Sequence, residues 1–345
     1  MTAYRRLILL ALALTTLVVV FGAYVRLSDA GLGCPDWPGC YGQLSPHHAA
    51  DEILETHAVD PHGPVSLPKA WKEMIHRYLA ASLGLLILAI AFLAWRRRGA
   101  PGVAPGLAAA LVGVVIFQGL LGKWTVTLLL KPAIVTAHLI GGLTTLALLA
   151  WLALHAHAPA RTESPRRYLA LARTAFILLA LQIALGGWTS TNYAALACTD
   201  FPSCQGSLWP PADYANAFHV LRELGMTADG DALPLAALTA IHWSHRVGAA
   251  LAGTALLALG AALLRRAGTR RFGAALLVAL AVQLALGVAN VLLSLPLPLA
   301  VAHNAGAAAL VIVMVWINHG LRGACLPAPV AQRRAGHAGR ENSYA

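Results

Sequence analysis

Eight apolar stretches, each long enough to cross a bilayer as a helix, constrain this chain more than any other feature. About 20 helical residues are needed to span roughly 30 Å of hydrocarbon. Only 11% of the 345 residues are charged, against about 25% in a typical soluble domain, which argues strongly against a water-soluble enzyme. We predict an all-α integral membrane protein. The predicted spans are Leu7–Val25, Trp71–Trp95, Leu107–Trp124, Ala133–Leu154, Tyr168–Ser190, Leu235–Leu264, Phe272–Leu293 and Leu299–Gly320.

The charged residues are divided unequally between the two sides of these spans. The side with both termini holds 17 cations and two anions, whereas the opposite side holds 8 cations and 12 anions. By the positive-inside rule, this asymmetry predicts that both termini are cytoplasmic. The net charge of +11 is therefore a topology signal. Nucleic acid is not an expected partner, because the arginines are split among short turns and form no single patch.

An internal duplication covers most of the chain. The segment Ala30–Gly42 aligns without a gap with Ala194–Gly206, and both contain two cysteines at the same spacing. Further matches at nearly the same offset pair Gln118 and Gly122 with Gln283 and Gly287, His138 with His303, and His76-Arg77 with His245-Arg246. Several agreeing offsets over half the chain indicate two copies of one unit.

Each copy contains four spans, and an even number inserts both copies the same way up. We therefore predict two parallel-repeat four-helix bundles, related by a pseudo-twofold axis along the membrane normal. The predicted units are an N-terminal bundle over residues 1–160 and a C-terminal bundle over residues 161–322. Residues 323–345 are predicted to be a disordered cytoplasmic tail.

Four histidines lie near the outer ends of the even-numbered spans: His76, His138, His245 and His303. Each copy has one on its second span and one on its fourth. Two histidines at one depth on neighbouring helices can ligate a haem iron from both faces, inside a helix bundle. We predict two haem sites, one in each copy. Zinc binding is a weaker alternative. A purely structural alternative is that the histidines form hydrogen bonds between helices.

Glu73 makes the two predicted sites unequal. It stands three residues before His76, on the same side of the helix, whereas the second copy has His242 at that position. A carboxylate at an apolar boundary can move protons, so the first copy is the predicted reaction site. The alternative is a helix N-terminal glutamate that offsets the macrodipole. Arg77 and Arg246 are predicted to meet haem propionates or, alternatively, lipid headgroups.

Two cysteine pairs lie in the two long outer loops. They are Cys34 with Cys40 and Cys198 with Cys204. An oxidising outer compartment allows each pair to form a disulfide. Such a disulfide is either structural or exchanges electrons with thiols. A metal site shared by the four thiolates is a weaker alternative than either kind of disulfide, because the spacing within each pair is wider than in the usual metal knuckles.

Together these motifs resemble the haem A synthase family, the bacterial membrane enzymes of cytochrome oxidase assembly. The resemblance covers roughly residues 7–322 and leaves out the tail after Cys325. It rests on Gly31–Cys40, Glu73-x-x-His76-Arg77, Gln118-x-x-Leu121-Gly122 before His138, His245-Arg246, and Gln283-x-x-Leu286-Gly287 before His303. It implies a multi-pass protein of the bacterial inner (cytoplasmic) membrane.

The resemblance also implies a reaction and a division of roles. The C8 methyl group of haem O would be oxidised, through hydroxylated stages, to the formyl group of haem A. His245 and His303 would hold a haem b cofactor. His76 and His138 would bind the substrate haem, and Glu73 would take part in catalysis.

A disulfide between Cys34 and Cys40 is implied as well, whereas the pair Cys198 and Cys204 occurs in only part of the family. The implied partners are haem O and membrane lipid. A haem O synthase and cytochrome oxidase assembly factors are candidate protein partners, and the sequence leaves open a homo-oligomer.

Two other function classes compete with this interpretation. A di-haem b-type electron carrier, such as a quinol-linked cytochrome, would share the paired histidines. It would not need a carboxylate on one side only, nor the outer cysteine pairs. A transporter with a parallel repeat predicts helices broken at mid-membrane by glycine or proline, but the even-numbered spans have no interior proline.

Overall fold

The computed structural model describes residues 3–157 and 166–322, which form helices and loops without a β-strand. Eight of the helices are long and apolar enough to cross a membrane. The predicted all-α class and the eight spans are confirmed. In chain order the helices are α1 (Ala3–Leu27), α2 (Ala50–Val59), α3 (Leu67–Arg96), α4 (Pro105–Thr127), α5 (Pro132–His157), α6 (Arg166–Thr191), α7 (Tyr214–Ala217), α8 (Leu235–Leu264), α9 (Arg270–Leu292) and α10 (Leu297–Gly320).

Prolines mark the starts of several membrane helices. Pro68, Pro105 and Pro298 occupy one of the first two positions of α3, α4 and α10. Proline suits this place because its fixed φ is helical and its missing N–H has no partner there in any case. Helix α3 begins at Leu67 rather than at the predicted Trp71, since the turn that starts at Pro68 extends it outward.

Helix α2 adds a folded element to the first of the two long loops that the sequence predicts. Its acidic residues are exposed, whereas Ile53 is buried and 0% exposed. Ile53 packs in a small apolar cluster with Cys34, Cys40 and Met74. The first long loop is therefore a folded cap beside the N-terminal end of α3.

The helices of the two halves contact one another in the same pattern. In the first half, α1 and α4 each contact α3 and α5; in the second, α6 and α9 each contact α8 and α10. The halves meet where α5 packs on α6 and α10, and where α1 packs on α10. The pseudo-twofold repeat stays a prediction with which this pattern agrees. The boundary at residue 160 and the tail 323–345 lie outside the described residues.

The apolar core of each half lies away from its histidines. The first core contains Ile8, Ile87 and Leu149, all at most 1% exposed. The second contains Leu259 and Phe272. In sequence these residues belong to the first turns of odd-numbered spans or the later turns of even-numbered ones. These turns lie at the same end of the bundle. The opposite ends of the same helices are left to surround polar side chains.

Candidate functional site

Two of the four predicted haem-ligating histidines pack against a glycine of the preceding membrane-spanning helix, one in each half. A Cβ atom on Gly22 of α1 would lie 2.8 Å from His76 Cε1, and one on Gly186 of α6 would lie 2.9 Å from His245 Cε1. A contact this short would force the ring to move. Glycine is therefore required at both places for the imidazole to lie against the helix backbone.

The other two histidines repeat this arrangement. A Cβ atom on Gly122 of α4 would lie 3.3 Å from His138 Cε1, and one on Gly287 of α9 would lie 3.1 Å from His303 Cε1. These approaches are tight but less severe than those on α1 and α6. All four predicted ligands thus sit in matching glycine cradles.

The structure brings the histidines together in the predicted pairs. The imidazoles of His76 and His138 are close enough to interact electrostatically, and so are those of His245 and His303. A buried ring nitrogen of one member of each pair, Nδ1 of His76 and Nδ1 of His303, makes no hydrogen bond. Their roles as ligands stay a prediction.

These residues fit a haem better than a zinc ion. Within residues 3–157 and 166–322, groups of three or more His, Cys, Asp or Glu side chains that could hold a metal ion do not occur. Structural zinc needs four protein ligands and catalytic zinc three. A haem iron needs only two axial ligands from the protein, because the macrocycle supplies the rest. Each histidine pair offers that number.

A glutamine from the adjacent helix holds the ring in three of the four cases. Gln118 Nε2 lies 3.0 Å from His138 Nδ1, and Gln182 Nε2 lies 2.9 Å from His245 Nδ1. Each amide also donates to the backbone carbonyl of the histidine it contacts, at 2.6 and 3.0 Å. The third is Gln283, whose Nε2 lies 3.3 Å from His303 Nε2 rather than from Nδ1.

Glu73 is buried next to the first histidine pair. It is 4% exposed, and its carboxylate forms an ion pair with Arg77 one turn later, at 2.5 Å. Its other oxygen accepts a hydrogen bond from the backbone N–H of Cys34 at 3.0 Å. The carboxylate is therefore fixed between α3 and the disulfide loop.

Arg77 also holds the first disulfide loop. One terminal nitrogen donates to the carbonyl oxygens of Asp36, Pro38 and Gly39, at 2.9, 3.2 and 2.5 Å. The Asp36 carboxylate in turn accepts from two backbone N–H groups farther along the loop. The predicted propionate contact of Arg77 stays a prediction.

Arg246 performs the same task in the second half with a different neighbour. It donates to the carbonyl oxygens of Asp200, Ser203 and Cys198, at 2.8, 2.6 and 2.9 Å. Where Arg77 meets Glu73, Arg246 Nε lies 3.2 Å from His242 Nε2. The guanidinium thus faces an imidazole rather than a carboxylate, and its propionate contact likewise stays a prediction.

Both cysteine pairs lie at disulfide distance. The partners are Cys34 with Cys40 and Cys198 with Cys204. All four residues are 0% exposed.

The loop of the second disulfide contains a carboxyl group with a lowered pKa, that of Asp200. A hydrogen bond from Ser203 to Asp200 is the main reason why this pKa is held at about 2.

Comparison with known proteins agrees with this geometry. The model of the family described as "cytochrome oxidase assembly protein" matches residues 5–315. The chain belongs to this family. Among its relatives is the haem A synthase of Shewanella oneidensis, 41% identical over 91% of this chain and 96% of the relative. The haem A synthases of Rhizorhabdus wittichii and Nitrosospira multiformis are each 30% identical over at least 90% of both chains.

Membership of the cytochrome oxidase assembly protein family confirms the resemblance inferred from the motifs. It also places the chain among oxidoreductases of haem A biosynthesis rather than among di-haem electron carriers. The eight apolar helices make it a multi-pass membrane protein.

Sequence reasoning missed three contributors to the site, Gly22, Gly186 and Gln182. The two glycines are matched at the same offset as the cysteine pairs, so a search for small residues at that offset would have found them. Gln182 could not have been found that way, because its counterpart at the same offset is Val18.

Proposed function

We propose that this protein is a haem A synthase, which oxidises the C8 methyl group of haem O to the formyl group of haem A. The observation that carries this proposal is the one-sided carboxylate. Glu73 is buried one helical turn from His76, and the matching residue of the other half is His242. Two pairs of histidines alone would suit an electron carrier equally well. A carboxylate in only one half favours one reaction site beside one electron-transfer site.

We assign the two histidine pairs different occupants. His76 and His138 bind the substrate haem O in the first half. His245 and His303 hold a haem b cofactor in the second half. When bound, haem b supplies one-electron transfer to the oxidation. The helix backbones behind the glycines keep each imidazole in place.

Glu73 is proposed to accept and release the protons that methyl oxidation sets free. Its two carboxylate oxygens are the acceptors, and each already receives a hydrogen bond, from Arg77 and from the N–H of Cys34. These bonds fix the positions of the two carboxylate oxygens. Burial keeps bulk water from competing for the same proton.

The disulfide loops are proposed to be structural. Their sulfur atoms are buried, so external thiols do not reach them, and Arg77 and Arg246 clamp the loop carbonyls. In the proposed topology the loops face the outer side of the bacterial inner membrane, with both termini cytoplasmic and the two bundles, residues 1–160 and 161–322, side by side. A haem O synthase and cytochrome oxidase assembly factors are the proposed protein partners.

Haem analysis tests this function directly. The protein is expressed in a host that supplies haem O but makes no haem A, and the extracted haems are separated by chromatography. Haem A that appears only with this protein supports the proposal. Unchanged haem O together with a reducible b-type spectrum would instead support a di-haem electron carrier.

A further inference from the structure

The histidine environments of the two halves differ in one respect that the repeat does not predict. His245 is held by Gln182, which reaches its Nδ1 at 2.9 Å and its backbone carbonyl at 3.0 Å. The equivalent histidine, His76, has a buried Nδ1 with no hydrogen-bond partner. The ring of Phe21 lies beside the His76 ring, with 6.4 Å between the two ring centroids.

Two substitutions account for this difference. Val18 stands in α1 where Gln182 stands in α6, at the offset that also pairs the cysteines, and Val18 cannot reach a ring nitrogen. Leu79 stands in α3 where Gly248 stands in α8, each three residues after the histidine of its helix.

Gly248 makes room for the amide. A Cβ atom on Gly248 would collide with Gln182 Oε1, as one on Gly141 or Gly306 would collide with the corresponding oxygens of Gln118 and Gln283. Each of these glutamines thus contacts a histidine that is followed, three residues later, by a glycine. At His76 the first half has neither the glutamine nor the glycine.

Such an outer contact changes how firmly a histidine binds iron. A ligating imidazole usually gives the hydrogen of its other nitrogen to a fixed acceptor, and removal of that acceptor weakens metal binding about 10–100-fold. An amide side chain can present its oxygen or its NH₂ group to the ring. Here the Gln182 NH₂ group bridges His245 Nδ1 and the His245 carbonyl oxygen, so it fixes the orientation of the ring and leaves Nε2 as the nitrogen that would bind iron.

We propose that Gln182 is the positioning residue that makes His245 a permanent haem ligand, and that His76, without one, is the ligand that releases the haem. This inference rests on the proposed function, in which the first half must exchange substrate for product while the second keeps its cofactor. On the other face of each haem, Gln118 holds His138 at Nδ1, whereas Gln283 contacts His303 at Nε2 and leaves its Nδ1 without a hydrogen bond. The proposed difference in exchange is therefore assigned to the equivalent pair His76 and His245, of which only His245 is held by a glutamine.

The test uses purified full-length protein loaded with haem b alone and challenged with excess apomyoglobin, which captures any haem that dissociates. In Gln182→Val, we expect haem b to leave the second half about 10–100-fold faster than in the wild type. Gln182→Glu places a carboxylate beside Nδ1 that can accept from Nδ1–H, so we expect it to retain haem b and lower its midpoint potential. Gln118→Val is the matched control and leaves haem b release from the second half unchanged.

The reciprocal change, Val18→Gln with Leu79→Gly, is expected to slow haem loss from the first half. The inference is overturned if Gln182→Val releases haem at the wild-type rate, or if Gln182→Glu leaves the midpoint potential unchanged. Because haem O is absent, these outcomes are separate from the synthase assignment. A wild-type protein that binds haem b but leaves haem O unchanged contradicts only the proposed function.

Discussion

The first and second halves carry matching histidines, glycine cradles and arginine-clamped disulfide loops, yet they differ at a few positions beside the histidines. Glu73 in the first half corresponds to His242 in the second, and Val18 corresponds to Gln182. The matched parts place two imidazoles against helix glycines in both halves. The unmatched parts place a carboxylate beside one pair and an extra ring anchor beside the other. A duplicated scaffold thus becomes a reaction site and a retention site through few substitutions.

The largest expected effect separates the two haem sites. His245→Ala is predicted to abolish the resident b-type spectrum, because the haem loses one of its two axial ligands. His76→Ala is predicted to keep that spectrum and lose haem A formation. Visible spectra of the purified variants check this, and loss of the resident spectrum in His76→Ala would refute the division of roles.

A second comparison concerns the two arginines. Arg77→Ala leaves Glu73 as a buried, unpaired carboxylate, and breaking a buried pair typically costs about 3–5 kcal/mol. Arg246→Ala leaves an imidazole and unpaired carbonyls, for which about 1–3 kcal/mol is expected. Thermal unfolding in detergent should therefore show a larger loss for Arg77→Ala. Equal losses would mean that Glu73 is not ionised in the folded protein.

The glycine cradles give a smaller effect that is specific to each half. Gly186→Ala places a methyl group 2.9 Å from the His245 ring, and such overpacking costs about 1–3 kcal/mol. We expect weakened haem b binding, whereas Gly22→Ala should weaken binding of haem O only. Gly119→Ala is the control, because its Cβ would meet nothing within 4 Å. Haem titrations monitored by absorbance measure each affinity.

If Gly22→Ala instead released haem b, the assignment of occupants to halves would have to be reversed. A result in which neither alanine changes haem binding would show that the rings can move aside, and the glycines would lose their proposed role.

The smallest effect concerns the second disulfide loop. The Ser203 hydroxyl donates to Asp200 and holds its pKa at about 2, below the ordinary value of 3.8. Because the folded-state pKa is lowered, the stabilisation is present above pH 3.8 and is lost as the pH falls through 2. Ser203→Ala should raise the pKa toward 3.8. Infrared titration of the carboxyl band, with Asp200→Asn to assign it, would measure this shift, and an unchanged midpoint would contradict it.

Much of the fold could be predicted because hydrophobicity and repetition are properties of the sequence itself. Eight apolar stretches predicted eight helices, and matched offsets identified His76, His138, His245 and His303. The amphipathic helix α2 was missed, since only Ile53 among its residues is buried and its acidic surface resembles a loop.

The finer parts of the site depend on contacts that leave little trace in a single sequence. Arg77 and Arg246 bind backbone carbonyl oxygens, which every residue possesses, so no side-chain pattern could indicate them. Gln182 breaks the repeat rather than following it. Departures from the duplication, set against a structure, therefore carry information that the duplication itself does not.

The haem composition of Glu73→Gln tests most directly whether the halves divide substrate and cofactor roles. The variant is expressed with a haem O supply, and its bound haems are extracted and quantified. We predict that haem b and haem O are both retained, with haem A reduced at least about 100-fold relative to the wild type, the scale typical of a lost proton-transfer group. Haem A at the wild-type level, or loss of haem b, would contradict the account.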